Sequence, residues 1–268
     1  MQDKVVIITG GSSGIGQACA EVFGQAGAKI VITGRKKENL EETSRELKAA
    51  GIDNLALVAD SSIEADNKMM VERTLEKYDK IDVLIANAGI SMRALFEELD
   101  LEVFKKIMDI NLYGTLYATK YCLPHIFKTK GSIIGISSIT GHLGIPSRTA
   151  YSASKHAMNG LLEALRTEVM TRGVHVLVVA PGFTQSNIRK VSLNADGQVH
   201  GESPMDENKM MTSEAVAKAI LKATTGRKRD LVLTVEGKLA VFLNKWIPGF
   251  VDKMVYKKFA KEKGSVLK

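Results

Sequence analysis

The chain has 268 residues, with 37 Lys and Arg against 30 Asp and Glu, a formal net charge of +7. Its 45% hydrophobic and 25% charged fractions exclude a disordered chain, and two cysteines, Cys19 and Cys122, exclude a disulfide scaffold. No stretch approaches the roughly 18 consecutive apolar residues of a membrane span, and Met1–Lys4 runs straight into Val5–Ile8 without the apolar core of a secretory signal. An intracellular, cytoplasmic protein is expected. The charge is unevenly placed: residues 1–226 hold 26 basic and 26 acidic side chains, whereas residues 227–268 hold 11 basic and 4 acidic ones. A nucleic-acid enzyme would spread basic residues across a binding face, so nucleic acid is excluded as a partner and the excess belongs to the tail.

Short apolar runs rich in β-branched residues alternate with helical patterns. Val5–Ile8, Ile30–Ile32, Leu55–Val58, Val83–Ile85, Ser132–Ile136, Val174–Val179 and Leu231–Leu233 read as strands. Between them, Ile15–Gln25, Lys37–Ala50, Glu64–Lys77, Leu101–Leu123, Tyr151–Thr171 and Ser213–Thr224 read as helices. Near-continuous apolar strands joined by helical crossovers predict an α/β fold: one Rossmann-type, doubly wound parallel sheet of about seven strands with helices on both faces. The expected division is a dinucleotide-binding and catalytic domain over 1–235 and a basic, amphipathic helical extension over 236–268. Segment 184–211 is polar and too long for a simple connection, which marks it as a lid or binding loop.

Directly after the first strand comes Thr9-Gly10-Gly11-Ser12-Ser13-Gly14-Ile15-Gly16, spaced Gly-x3-Gly-x-Gly. Glycines at a strand–helix turn let backbone N–H groups approach a pyrophosphate, which a helix N-terminus favours electrostatically. Lacking its neighbours the turn would merely close a βα unit; with strand before and helix after, it points to a nucleotide. At the end of the second strand, where an NAD site normally offers an acid to the ribose 2′-hydroxyl, stand Gly34, Arg35 and Lys36. A guanidinium fork and an adjacent ammonium suit a 2′-phosphate, and cations are poorly placed at a helix N-terminus unless an anion neutralises them. NADP(H) is therefore favoured over NAD(H).

Tyr151 and Lys155 are four apart on one helix and share a face. A free phenol titrates near 10, too high for ready proton exchange near neutrality, and a neighbouring ammonium lowers that value. A lone Tyr-x-x-x-Lys is common on solvated helices, so the pair gains meaning only from other segments.

Those segments are present. Thr9–Gly16 resembles the cofactor turn of the short-chain dehydrogenase/reductase family, and four further segments match that family in order over residues 1–235. Asn87-Ala88-Gly89 resembles the segment beside the adenosine ribose, with Ala86 in place of a preceding Asn. The resemblance implies that Asp60 meets the adenine ring and that Asn111, a poor helix former in mid-helix, holds a water against the catalytic lysine. It selects Ser138 over Ser137, because 13 positions separate Ser138 from Tyr151. It also assigns Pro181, Gly182 and Thr184 to the nicotinamide carboxamide, Ser186 standing where the family has Thr. The implied catalytic tetrad is Asn111, Ser138, Tyr151 and Lys155, and the implied cofactor set is Gly10, Ser12, Ser13, Gly14, Ile15, Gly16, Arg35, Lys36, Asp60, Asn87, Ala88 and Gly89, with Tyr151, Lys155, Pro181, Gly182 and Thr184. The implied reaction is hydride transfer between nicotinamide and a carbonyl or secondary alcohol.

Competing readings are weaker. Ser152-x-x-Lys155 also fits an acyl-enzyme nucleophile, but the partner motif Lys-Thr-Gly is missing. His125, His142, His156, His175 and His200 show no metal-ligand spacing, so no metal is expected. A non-catalytic nucleotide-binding regulator on the same fold remains the alternative, opposed by the intact tetrad.

For the substrate, Met92, Leu95, Leu143, Ile145 and Phe183 suggest an apolar carbonyl or alcohol, lipid-, steroid- or ketone-like, with Ser91–Leu95 and Gly141–Arg148 as pocket segments. In the tail, Leu239, Phe242, Leu243, Trp246, Ile247 and Phe250 form an amphipathic stripe; Pro248 and Gly249 break it, and a lysine-rich segment runs from Val251 to Phe259. The stripe is expected to dock on the domain or on a partner subunit, with peripheral contact to a membrane surface as the alternative. The tail resembles that of membrane-associated family members, the dehydrogenase/reductase member 7 proteins and 11β-hydroxysteroid dehydrogenase type 1. The resemblance also implies a homodimer or homotetramer packed through Leu101–Leu123 and Tyr151–Thr171.

Overall fold

A computed structural model describes residues 1–199, 201, 210–261, 265 and 267; His200 and part of the expected lid, 202–209, lie outside them. Its strands β1 (Val5–Ile8), β2 (Lys29–Gly34), β3 (Asn54–Val58), β4 (Val83–Ala86), β5 (Ser132–Ile136), β6 (His175–Ala180) and β7 (Asp230–Val232) form one parallel sheet. Their spatial order is β3-β2-β1-β4-β5-β6-β7. The order reverses between β1 and β4, and there the strand ends open a crevice.

Strand periodicity builds two cores from one sheet. Val6 and Ile8 of β1 face α1 (Gly14–Gln25), α2 (Lys37–Ala49) and α7 (Ser213–Thr225), together with Ile30, Ile32, Ile134 and Leu177. Val5 and Ile7 face the other way, onto α3 (Glu64–Tyr78), α5 (Gly114–Thr129) and α6 (Thr149–Glu168), with Val31, Leu84, Ile133 and Val176. Alternate side chains point to opposite faces, so a strand buried on both sides reads as an unbroken apolar run. Burying each such Ile or Leu contributes about 1.5–3 kcal/mol.

Gly135 decides how closely α6 approaches the sheet. A Cβ there would lie 2.2 Å from Leu162 Cδ1 and 2.9 Å from Met158 Cε, so any larger residue would lift the helix.

Two readings of the sequence need correction. The expected single helix Leu101–Leu123 is α4 (Leu101–Met108), a π-helical turn (Asp109–Tyr113) and α5, which continues past Pro124 to Thr129. Of the two surfaces expected to receive the tail stripe, the described part of this chain is not one, which leaves a partner subunit. After β7, α8 (Val235–Trp246) and α9 (Pro248–Ala260) meet at Pro248, but Leu239, Phe242, Trp246 and Phe250 are 54–74% exposed. The tail holds the body instead through Val251 and Phe259, both buried, and through Asn244, whose amide donates to the His142 carbonyl at 3.0 Å.

A third, smaller core sits beyond the strand ends: Ile90, Met92, Leu99, Val103, Ile107 and Ala150, with Leu193 of the expected lid and the half-buried ring of Tyr151. Backbone bonds fasten that loop to it, Arg93 N–H donating to the Leu193 carbonyl at 2.8 Å and Leu193 N–H to the Ser91 carbonyl at 3.0 Å. The described part of the loop is thus a built wall of the crevice.

Candidate active site

The crevice floor is the turn after β1. Thr9 Oγ1 accepts the N–H groups of Asn87 and Ala88, both at 3.0 Å, while Asn87 Nδ2 donates to the Thr9 and Gly10 carbonyls at 2.9 and 3.0 Å. This clamp joins β1 to β4 where the sheet order reverses. Gly10 and Gly14 take φ of +64° and +55°, which glycine adopts without steric cost. A Cβ on Gly16 would lie 2.2 Å from the Gly10 carbonyl oxygen. Gly16 therefore closes the turn from below and does not line the crevice.

The turn delivers α1 to the crevice with no side-chain cap at Ser13 and no acid in its first turn. Its leading N–H groups point at the space above Ser12, Ser13 and Gly14, as anion binding requires. A dinucleotide pyrophosphate fits this cradle, and Ser186, whose Cβ is 3.3 Å from where a Gly14 Cβ would sit, roofs it. At the rim beyond β2, Arg35 is 57% exposed with Nη1 4.0 Å from Asp60 Oδ2. Asp60 is engaged in its own turn: Oδ1 accepts the Ser62 N–H and hydroxyl at 2.9 and 2.7 Å. Its free edge, Ala59, Asp60 and Ser61, lines the crevice as a shelf against which a base could lie.

At the opposite end, beyond β5, are Ser138, Tyr151 and Lys155. Ser138 caps the short 3-10 turn Ile139–Gly141, its Oγ accepting the Thr140 N–H at 3.2 Å, whereas the Ser137 side chain is buried beneath Gly141. Lys155 is 3% exposed; its Nζ donates to the Ile136 carbonyl at 2.8 Å and touches the Met158 sulfur at 3.8 Å. Burial beside neutral partners pulls this ammonium down to about 8. Burial pushes the Tyr151 phenol up, opposed by the Ser138 hydroxyl and then by the Arg148 guanidinium.

The spacing of Tyr151 and Lys155 on one helix makes Lys155 the group expected to lower the phenol. In this structure Lys155 Nζ stands 5.8 Å from the ring centre and bonds the end of β5, and Arg148 is a further cation beside the phenol. Spacing along a helix gave the pair but not which atom each would face.

Asn111 lies one layer behind, fully buried in the π turn. Its Oδ1 accepts the Ile90 N–H at 2.8 Å; its Nδ2 donates to the Ile90 carbonyl at 3.0 Å and to Ser154 Oγ at 2.9 Å. A Cβ on Gly89 would fall 3.1 Å from Asn111 Oδ1 and 3.6 Å from Lys155 Nζ, so a side chain there would press on both. The side-chain amide is spent on positioning, and Asn111 does not line the crevice.

These ends belong to one crevice of about 660 Å³, which brings together every expected site residue except Gly16 and Asn111. Pro181, Gly182 and Thr184 line it after β6, with the Thr184 hydroxyl turned back onto the Gly182 carbonyl at 3.1 Å. Of the apolar pocket candidates Ile145 and Phe183 line it; Met92 and Leu143 are buried in the packing and Leu95 is elsewhere. Arg148 and Phe259 line it too. Arg148 stands three positions before Tyr151, a signal the sequence offered; Phe259, in the tail, offered none. Among the described residues no cluster of His, Cys, Asp or Glu could hold a metal ion, and no helix is long and apolar enough to cross a membrane.

Comparison with known proteins agrees with this geometry. The short chain dehydrogenase family model matches residues 4–196. The mouse (Mus musculus) dehydrogenase/reductase SDR family member 7B is 34% identical over 271 residues, covering 99% of this chain and 84% of that protein. Among solved structures, a short chain dehydrogenase/reductase from Burkholderia phymatum in complex with NAD superposes with a TM-score of 0.84 at 23% identity, covering 93% of this chain and 95% of that one. An alcohol dehydrogenase from Thermococcus sibiricus complexed with 5-hydroxy-NADP superposes with a TM-score of 0.75 at 23% identity, covering 87% and 96%. Fold, crevice and matched sequence together place the chain in the short-chain dehydrogenase/reductase family of oxidoreductases.

Proposed function

We propose that this oxidoreductase uses NADP(H) to interconvert a carbonyl and a secondary alcohol on an apolar substrate. The observation that carries the reading is the convergence of Tyr151, Ser138 and Lys155 at one end of a single crevice whose other end offers Arg35 and Lys36. The cofactor, when bound, supplies hydride exchange at its nicotinamide ring. The glycine turn and the α1 N-terminus hold the pyrophosphate, Asn87–Gly89 the adenosine ribose and Pro181–Thr184 the carboxamide side. Tyr151 donates its phenolic proton to the substrate oxygen in reduction and withdraws it in oxidation, while Ser138 orients that oxygen. Lys155 holds the nicotinamide ribose and adds positive potential at the phenol; Asn111 fixes the Ile90 backbone and, through Ser154, the helix that carries both.

The cofactor preference rests on Arg35, whose exposed guanidinium reaches beyond β2 where no acid of β2 competes. The substrate reading rests on Ile145 and Phe183. A homo-oligomer through α4–α5 and α6 is inferred from family habit, with Leu101, Tyr113 and Met170 exposed on those elements or at their ends. The exposed stripe of α8 and α9, flanked by lysines, favours peripheral contact with an anionic lipid surface over docking on the same chain.

Tyr151→Phe is expected to lower kcat for NADPH-dependent carbonyl reduction by at least about 100-fold with NADPH affinity unchanged within a few-fold; retained turnover sinks the mechanism. Arg35→Asp is expected to weaken NADPH binding roughly 10- to 100-fold by titration and NADH binding far less, the worth of a lost charge-assisted contact. Equal losses overturn the assignment. In vesicle co-sedimentation, Phe242→Ser with Trp246→Ser should release the full-length chain from anionic vesicles; a wild type that never binds them ends the lipid reading.

Lys155 also predicts a pH signature. Its folded pKa of about 8 lies below the ordinary lysine value, so between them the unfolded chain binds the extra proton. Stability therefore rises with pH from 8 toward 10, and below 8 the full cost, on the order of 3 kcal/mol, is present. Denaturant unfolding of the apo protein should show this rise, and Lys155→Met should remove it. Parallel curves for the two proteins would contradict the buried charge.

A further inference from the structure

The tail is mostly solvent-exposed, yet one side chain of its last described helical turn, Phe259, is buried against the crevice. Phe259 of α9 is 5% exposed and lines the crevice, more than a hundred positions from Tyr151. Two contacts hold it there, and they are reciprocal. The Arg148 guanidinium of the body lies 5.1 Å from the centre of the Phe259 ring; the Lys258 ammonium of the tail lies 5.4 Å from the centre of the Phe183 ring of the body. Each side thus presents a cation to the other side's aromatic face, within the reach of a cation–π attraction. Lys258 Nζ is also 3.4 Å from Glu236 Oε2 at the start of α8, which ties the two ends of the tail together. Arg148, Phe183 and Phe259 all border the Tyr151 end of the crevice, away from Arg35.

We propose that Arg148 on Phe259 and Lys258 on Phe183 form a clasp that makes α9 one wall of the substrate end of the crevice, with Phe259 setting how much bulk a carbonyl substrate can carry beside Tyr151. This rests on the oxidoreductase reading above and adds a specificity-determining residue to it. A flat apolar ring closing that end discriminates by volume, so a smaller side chain admits what the ring excludes. The clasp also means that the tail's docking and the pocket's shape are one equilibrium: whatever loosens the helix enlarges the pocket.

Two measurements on the full-length protein test it. The first is kcat/KM with NADPH for a series of 2-alkanones and aryl ketones of increasing bulk, for wild type, Phe259→Ala and Phe259→Trp. Phe259→Ala should raise the ratio of bulky over small substrates at least about tenfold, chiefly through KM, and Phe259→Trp should lower it, with NADPH affinity unchanged. An unchanged ratio in both variants, in a wild type that turns the series over, overturns the specificity role. The second is amide hydrogen exchange across residues 248–260. Arg148→Met and Lys258→Met should each speed exchange there about fivefold or more while β1–β6 stay protected; unaltered exchange in both overturns the clasp. If wild type reduces no member of the series, the oxidoreductase reading is what fails, and the exchange measurement still decides the clasp.

Discussion

A buried ammonium bonded to the end of a strand is the joint on which this molecule depends. Lys155 gives up most of its hydration to reach the Ile136 carbonyl, a cost a single neutral partner repays only in part. That bond is possible because Gly135 lets α6 settle against β5, and because Leu162 and Met158 fill the space a side chain would have taken. Once made, it fixes the depth of α6 and with it the height of Tyr151 above the strand ends. Core packing and site geometry are therefore the same constraint, seen from below and from above. An apolar side chain at position 155 would suit the interior better, so the lysine is retained at a cost to stability.

The other end of the crevice is built on a different economy. Thr9 and Asn87 satisfy one another's neighbourhoods with four bonds between β1 and β4, leaving the glycine turn stiff although it contains the least constrained residues in the chain. The leading amides of α1 receive no cap from the Ser13 side chain. A rigid cradle with unspent donors at one end and a costly charge at the other both gain when a single anionic, ribose-bearing ligand spans them.

Much of this was legible in the sequence, for reasons that particular residues make plain. β1 and β5 were read to the residue because every position of each is buried, leaving no solvent-facing positions to blur the run. Tyr151 and Lys155 were paired by their spacing along one helix, which maps onto distance with little freedom, whereas Ser138 came from the family resemblance. The departures have equally physical causes. The π turn was hidden because helix periodicity counts 3.6 residues per turn and Asn111 breaks the count by one. Arg148 entered only as the end of the pocket segment Gly141–Arg148, because its effect on Tyr151 comes from where the loop before α6 folds back. Phe259 was out of reach altogether: its contact is made across the whole chain, and the stripe in front of it, stronger in pattern, is the part that stays exposed.

The five-residue π turn has a consequence for how this helix tolerates change. Val103 and Ile107 form the inward line of α4, continued by Ile110 at the start of the π turn, and Ala118, Cys122 and Ile126 form that of α5. At an α-helical phase of about 100° per residue, those two lines would sit about 90° apart around the axis. The wider turn absorbs that angle and works as a phase shifter, bringing both lines onto the side that faces the interior. Point substitutions along the exposed side leave the phase alone. Loss or gain of a single residue between Met108 and Gly114 would instead rotate one half of the helix against the other and turn a buried line out to water. The helix is thus permissive in composition and strict in length.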